Sequence, residues 1–177
     1  MSSVDEAIAA LRAGEAVLLP TDTVYGLCAD ASVVGARERL AALKGRDVSQ
    51  PIALLFADVE TALERVPEAR RARALLPGPF TIVAGGVGLR VPELSDEAAR
   101  VVRALGAVLA TSANRHGGPD PSRLEDVPGE IRAACGAELD GGELPGVPST
   151  VVDLSGPEPR VLREGAVAAA EVLARLG

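Results

Sequence analysis

Four polar patches interrupt an otherwise apolar chain, and each stands where an apolar run ends. Thr21, Asp22, Thr23 and Tyr25 follow "AVLLP"; Lys44, Arg46 and Gln50 follow a helical stretch. Thr111, Ser112 and Asn114 follow "AVLA" and lead through His116 and consecutive glycines to Ser122. Ser149 and Thr150 open "STVVDL", with Arg163 a short way beyond. Hydroxyls, an amide and glycine-rich backbone N–H groups are the ingredients of an anion-binding loop. Arginine adds a planar fork for phosphate or carboxylate, and lysine a point charge. Each patch also has a purely structural reading. Thr21–Thr23 suits a turn, Gly45 with its flanking cations suits a helix C-terminus, and His116 and Arg163 suit solvated surface positions.

What is missing narrows the chemistry. There is no G-x-x-x-x-G-K-[ST] loop, no G-x-G-x-x-G after a strand and no G-x-S-x-G elbow. A single histidine with the scattered Cys28 and Cys135 cannot build a His/Cys zinc site, and the two cysteines read as reduced thiols. The chemistry therefore rests on positioning and electrostatics, with no protein nucleophile expected. A net charge of −7 opposes non-specific attraction to phosphate backbones, so any phosphate site must be a local basic cluster. Tyr25, Phe56 and Phe80 are the only aromatic side chains, too few for a base-stacking platform. The N-terminus lacks a basic and then apolar leader, and no window reaches ~18 uninterrupted apolar residues, so a cytoplasmic protein with no membrane association is expected.

The elements that must hold these patches alternate. Ser3 and Glu6 form a capping-box pattern ahead of a first helix that Gly14 ends. Helical spacing recurs over Gly35–Leu43, Asp58–Val66, Glu68–Leu76, Asp96–Leu105 and Ala166–Leu176. Short apolar runs read as strands at Ala16–Pro20, Ile52–Phe56, Phe80–Ala84, Gly88–Val91, Ala107–Ala110, Ser149–Leu154 and Arg160–Leu162. Alternation predicts an α/β fold. The closely spaced pairs Phe80–Val91 and Val151–Leu162 read as hairpins, which makes the sheet mixed. Asp140–Ser149 reads as a loop beside a site, and residues 1–177 as a single domain.

Taken in order, "PTDTVYGL", "LKGRDVSQPI", "LPGPFTIV", "GLRVP", "TSANRHGGP", "PSTVVDL" and "RVLREGA" resemble the YrdC-like threonylcarbamoyl-AMP synthases, from about Ala7 to Val167. The resemblance implies a twisted α/β domain with flanking helices and a positively charged concave face. It implies synthesis of L-threonylcarbamoyladenylate and pyrophosphate from L-threonine, bicarbonate and ATP, with Mg²⁺ accompanying ATP. The product serves N6-threonylcarbamoyladenosine formation by downstream tRNA-modifying machinery. By the family pattern, Thr23, Arg90, Ser112 and Ser149 hold the threonine and Tyr25 walls its pocket. Lys44, Arg46, Gln50, Asn114, Ser122 and Arg163 line the ATP. Leu55 stands where many members carry a histidine, His116 where a serine is common, and Gly85–Gly86 where a longer loop is usual; longer members also carry a further C-terminal domain. Two other readings stay open: a non-catalytic double-stranded RNA-binding protein, and a paralogue with a different acceptor.

Overall fold

The capping box forms as the sequence predicts. Ser3 Oγ accepts the Glu6 N–H at 3.2 Å, the Glu6 carboxylate accepts the Ser3 N–H at 2.6 Å, and helix α1 (Val4–Arg12) follows. In this computed structural model, which describes residues 1–177, the chain continues into β1 (Ala16–Leu19) and β2 (Gly26–Asp30). Next come α2 (Ala36–Lys44), closed by Gly45 in the left-handed conformation at φ 63°, then β3 (Ala53–Leu55) and α3 (Val59–Arg65). The hairpin β4 (Phe80–Ala84) and β5 (Val87–Arg90) precedes α4 (Asp96–Leu105) and β6 (Val108–Ser112). The remaining elements are α5 (Gly129–Ala133), β7 (Cys135–Glu138), β8 (Thr150–Asp153), β9 (Arg160–Arg163) and α6 (Ala169–Leu176).

The segment expected as a helix over Glu68–Leu76 is instead a 3₁₀ helix, Pro67–Leu75. Its buried residues Ala69, Ala72 and Leu75 fall every third position, which a three-residue turn stacks on one face. Three elements carry no clear sequence signal: β2, β7 and α5. The α/β expectation otherwise describes the fold, and both predicted hairpins form, β4–β5 and β8–β9.

One nine-stranded sheet results, in the order β7-β1-β2-β6-β3-β5-β4-β8-β9. The pairs β1–β7, β3–β5 and β4–β8 are parallel and the rest antiparallel, so the sheet is mixed. Side chains alternate between faces along a strand, so the registers decide which residues share a side. Gly26 lies opposite Ser112, Ala53 opposite Ala110, Leu55 opposite Arg90, Gly88 opposite Val83, Thr81 opposite Val151 and Val151 opposite Arg163. All of these fall on one face.

The two faces are covered unequally. On the face opposite these residues, α3, the 3₁₀ helix and α6 bury Phe80, Ile82, Leu89 and Val152. Beside them, α2 and α5 cover Leu18, Leu27 and Leu109. On the first face, α1 and α4 reach only part of the sheet, packing Ala7, Leu11, Val101 and Val102 onto Val17, Leu19, Cys28 and Val108. Beyond Leu55 and Ala110, at the margin of that cluster, the first face is left bare. No helix is long and apolar enough to cross a membrane.

Candidate active site

The bare part of the sheet is the floor of a cavity of about 250 Å³. Small residues, Gly26, Ala53, Gly88 and Ala110, set its depth, and Leu55, Val83 and Val151 give it apolar ground. Hydroxyls of Thr21, Thr81, Thr111, Ser112 and Ser149 ring it, and three guanidinium groups, Arg46, Arg90 and Arg163, stand on its walls. Asp120 is the carboxylate among them. In a chain of net charge −7 this is the local basic cluster that a phosphate site requires.

Arg90 leaves the end of β5 nearly buried, with 12% of its side chain exposed. Its Nη2 donates to Asp22 Oδ1 at 2.8 Å and to Thr23 Oγ1 at 3.0 Å, while its Nε is buried without a partner. Thr21 donates its own hydroxyl proton to the Val24 carbonyl at 2.7 Å, so in the 3.0 Å Thr21–Thr23 contact Thr23 is the donor. The result is a one-way chain of hydrogen bonds from Arg90 through Thr23 and Thr21 to the backbone. Burial lowers the Arg90 pKa and raises that of Asp22, the mutual attraction of the pair opposing both shifts.

Lys44 is arranged differently. The last turn of α2 carries it under the loop after β6, where its Nζ donates to Ser112 O at 2.5 Å, Asn114 O at 2.7 Å and Asn114 Oδ1 at 2.7 Å. Asn114 Oδ1 also accepts from Ser112 Oγ at 2.7 Å, and its Nδ2 donates to Gly118 O at 2.7 Å. The Lys44 backbone carbonyl accepts from His116 N at 2.9 Å. Burial, then the nearby Arg46 charge, bring the Lys44 ammonium down to about 8. Arg46 makes one bond, Nη2 to Pro51 O at 3.3 Å, and its Nε is buried and unpartnered.

At the far wall, Arg163 Nη2 donates to Ser149 O at 2.8 Å, and Ser149 Oγ lies 2.7 Å from Thr81 Oγ1. This corner depends on Gly165, where a Cβ would fall 2.2 Å from Pro148 O. Thr150 Oγ1 fastens the turn by accepting from Gly165 N and Val167 N.

Of the residues expected from the sequence, Arg46, Arg90, Ser112, Ser149 and Arg163 come together on the cavity wall. Thr23 is fully buried behind Arg90, and Lys44 and Asn114 lie buried behind the Ser112 loop. Ser122 turns its hydroxyl to Asp126 at 3.1 Å, and Gln50 is not on the wall. Tyr25 does not wall the pocket. It lies one residue from Gly26, so strand alternation sends it to the other face, where it packs with Leu18 and Leu27. There its hydroxyl donates toward Asp140 Oδ1 and Gly142 O, both at 2.9 Å, and accepts from Gly141 N at 2.9 Å. Thr111, part of the polar patch after "AVLA", is on the wall as well, whereas sequence reasoning missed Thr81 and Asp120; the glycines Gly26 and Gly88 within strands were the available signal of a close approach there.

The Sua5/YciO/YrdC family model, described as "Telomere recombination", matches residues 9–165. The chain belongs to the Sua5/YciO/YrdC family. Among curated relatives, the threonylcarbamoyl-AMP synthase of Chromohalobacter salexigens is 35% identical, over 88% of this chain and 94% of its own length. That of Bacillus subtilis is 30% identical, over 98% of this chain and 56% of its own. Both carry the name threonylcarbamoyl-AMP synthase, that of an enzyme. Pyrococcus abyssi Sua5 complexed with L-threonine superposes with a TM-score of 0.87 at 32% identity, over 98% of this chain and 57% of that one. The chain thus spans little more than half of the Pyrococcus protein. Escherichia coli YciO shares the fold, with a TM-score of 0.82 at 24% identity.

Proposed function

We propose that this chain is a threonylcarbamoyl-AMP synthase that condenses L-threonine, bicarbonate and ATP and releases pyrophosphate, supplying a tRNA-modifying transfer step. What supports this reading is the convergence of three guanidinium groups on one hydroxyl-ringed cavity in an acidic protein of this family.

The chemistry asks for no enzyme nucleophile. Bicarbonate breaks down to CO2 and hydroxide. The threonine amine adds to CO2 and loses a proton to become a carbamate, and hydroxide and proton leave as water. The carbamate oxygen then attacks the α-phosphorus of ATP, that P–O bond forming as the bond to pyrophosphate breaks. The protein holds the two reactants together and offsets phosphate charge. Arg90 takes the threonine carboxylate, with Ser112 and Ser149 beside it. Arg46 and Arg163 face the phosphates, and Lys44 adds charge from behind the Ser112 loop. Gln50, Asn114 and Ser122 are assigned to the part of ATP that projects beyond the cavity. Mg²⁺ enters with the nucleotide. Asp120 is the one carboxylate on the cavity wall, so the ion would be held mostly by phosphate and water.

The test is pyrophosphate release with ATP, bicarbonate and a panel of amino acids. Release that depends on threonine is expected; release with another amino acid in its place points to a different acceptor, and none with any amino acid overturns the proposal.

A further inference from the structure

We propose that Asp22 is a positioning residue for Arg90, fixing which edge of the guanidinium faces the cavity and thereby setting affinity for the amino-acid carboxylate. The inference rests on the reading that Arg90 receives that carboxylate.

A guanidinium carries five N–H donors in a rigid fork, so fixing one corner orients the rest. In Arg90 that corner is Nη2, with both of its hydrogens engaged, by Asp22 Oδ1 at 2.8 Å and by Thr23 Oγ1 at 3.0 Å. Nε is buried and unpartnered, and Nη1 makes no bond to the protein. Nε is enclosed, so Nη1 is the donor left for a ligand at the cavity wall.

Asp22 is itself held. Its Oδ2 accepts from the Glu93 backbone N–H at 3.2 Å, and only 10% of its side chain is exposed. Asp22 thus ties the turn between β1 and β2 to the segment leaving β5, so the Arg90 fork is clamped between two strand ends. Its second neighbour is also a donor, which makes the carboxylate hard to replace. Asparagine has a single acceptor oxygen and must turn its amide N–H groups toward either Arg90 or Glu93 N.

Charge and geometry predict opposite outcomes. By charge alone Asp22 partly cancels Arg90, so removing it should tighten anion binding. By geometry its removal frees the fork and weakens binding. Two fixed contacts on a nearly buried pair favour geometry, because the orientation is prepared before the ligand arrives.

The experiment is a double-mutant cycle on threonine-dependent pyrophosphate release at saturating ATP, using Asp22→Asn, Arg90→Ala and both together. Asp22→Asn should raise the threonine KM at least tenfold, with kcat within threefold and the ATP KM unchanged, a split that general loss of structure would not give. On the Arg90→Ala background it should add less than twofold. Asp22→Glu keeps the charge but displaces the carboxylate by one methylene. It should also raise the threonine KM, and it serves the cycle if Asp22→Asn fails to fold. A threonine KM that is unchanged or lowered in Asp22→Asn, or effects that multiply in the double variant, overturn the inference while leaving Arg90 in its role. An unchanged KM in Arg90→Ala overturns the Arg90 assignment and the inference with it.

Discussion

Lys44 and the arginines of the cavity use their donors in opposite ways. Lys44 has three N–H groups and gives all of them to protein oxygens, Ser112 O, Asn114 O and Asn114 Oδ1. Arg46 and Arg90 each keep a buried Nε with no partner. Lys44 is built into the wall with every donor spent, whereas Arg46 and Arg90 still have donors without a protein partner. A lysine clamped by three oxygens acts on a ligand mainly through the loop it shapes and the charge it carries. An arginine with idle donors acts by contact. Cations that look alike in a motif therefore differ in what their removal should do.

The largest effect separating the two kinds is on stability. Lys44→Ala removes a buried cation from three acceptors and should cost about 2 kcal/mol or more of unfolding free energy, together with at least a tenfold loss of turnover. Thermal denaturation alongside the pyrophosphate assay checks both, and an unaltered melting temperature would put Lys44 in the arginine class. Arg46→Ala should lower kcat/KM for ATP about a hundredfold, roughly 2.7 kcal/mol, while unfolding free energy moves by less than about 0.5 kcal/mol. A comparable loss of stability in this variant would erase the distinction.

A smaller effect comes from pH. The Lys44 ammonium, brought down to about 8 from an ordinary 10.5, is charged below that pH and neutral above it. Affinity for a non-hydrolysable ATP analogue should fall severalfold as pH rises from 7 to 9, because one positive charge behind the phosphates is lost. The linked stability has the opposite sign. Between about 8 and 10.5 the unfolded chain binds more protons at this group, so its contribution to stability rises with pH over that window. Titration calorimetry with the analogue checks the first, and a flat profile would mean the charge does not reach the phosphates. The smallest effect is expected at His116, whose backbone N–H, rather than its ring, is bonded to Lys44 O. His116→Ala should change activity less than twofold.

Much of this architecture was readable in the residues, and the gaps have physical causes. Apolar runs such as Phe80–Ala84 and Val108–Ser112 announce strands because burial demands them. "GLCAD" and "CGAE" do not, since glycine and acidic residues disfavour strands; pairing with β1 and β6, or with β1 alone, makes them strands. The polar patches were legible because hydroxyls at the ends of apolar runs stand out. Which face each side chain takes was not, because that depends on register. Tyr25 and Gly26 are neighbours in one motif, yet Gly26 floors the cavity while Tyr25 anchors the loop at Asp140–Gly142 on the other side. Asp22 was visible as a turn residue; its tie to Arg90, far along the chain, was not.

The partial cover of α1 and α4 has a consequence for the protein's life in a cell. Those two helices give only part of the sheet a second covering layer, and the strip floored by Gly26, Ala53, Gly88 and Ala110 has one only when something is bound there. A saturating ligand acts as that layer, and at a concentration one hundred times its dissociation constant it adds about 2.7 kcal/mol to the folded state. For a fold whose net stability is only several kcal/mol, that separates a durable molecule from one that quality control removes. Abundance would then follow the supply of what the cavity binds, with starvation thinning the enzyme as well as idling it.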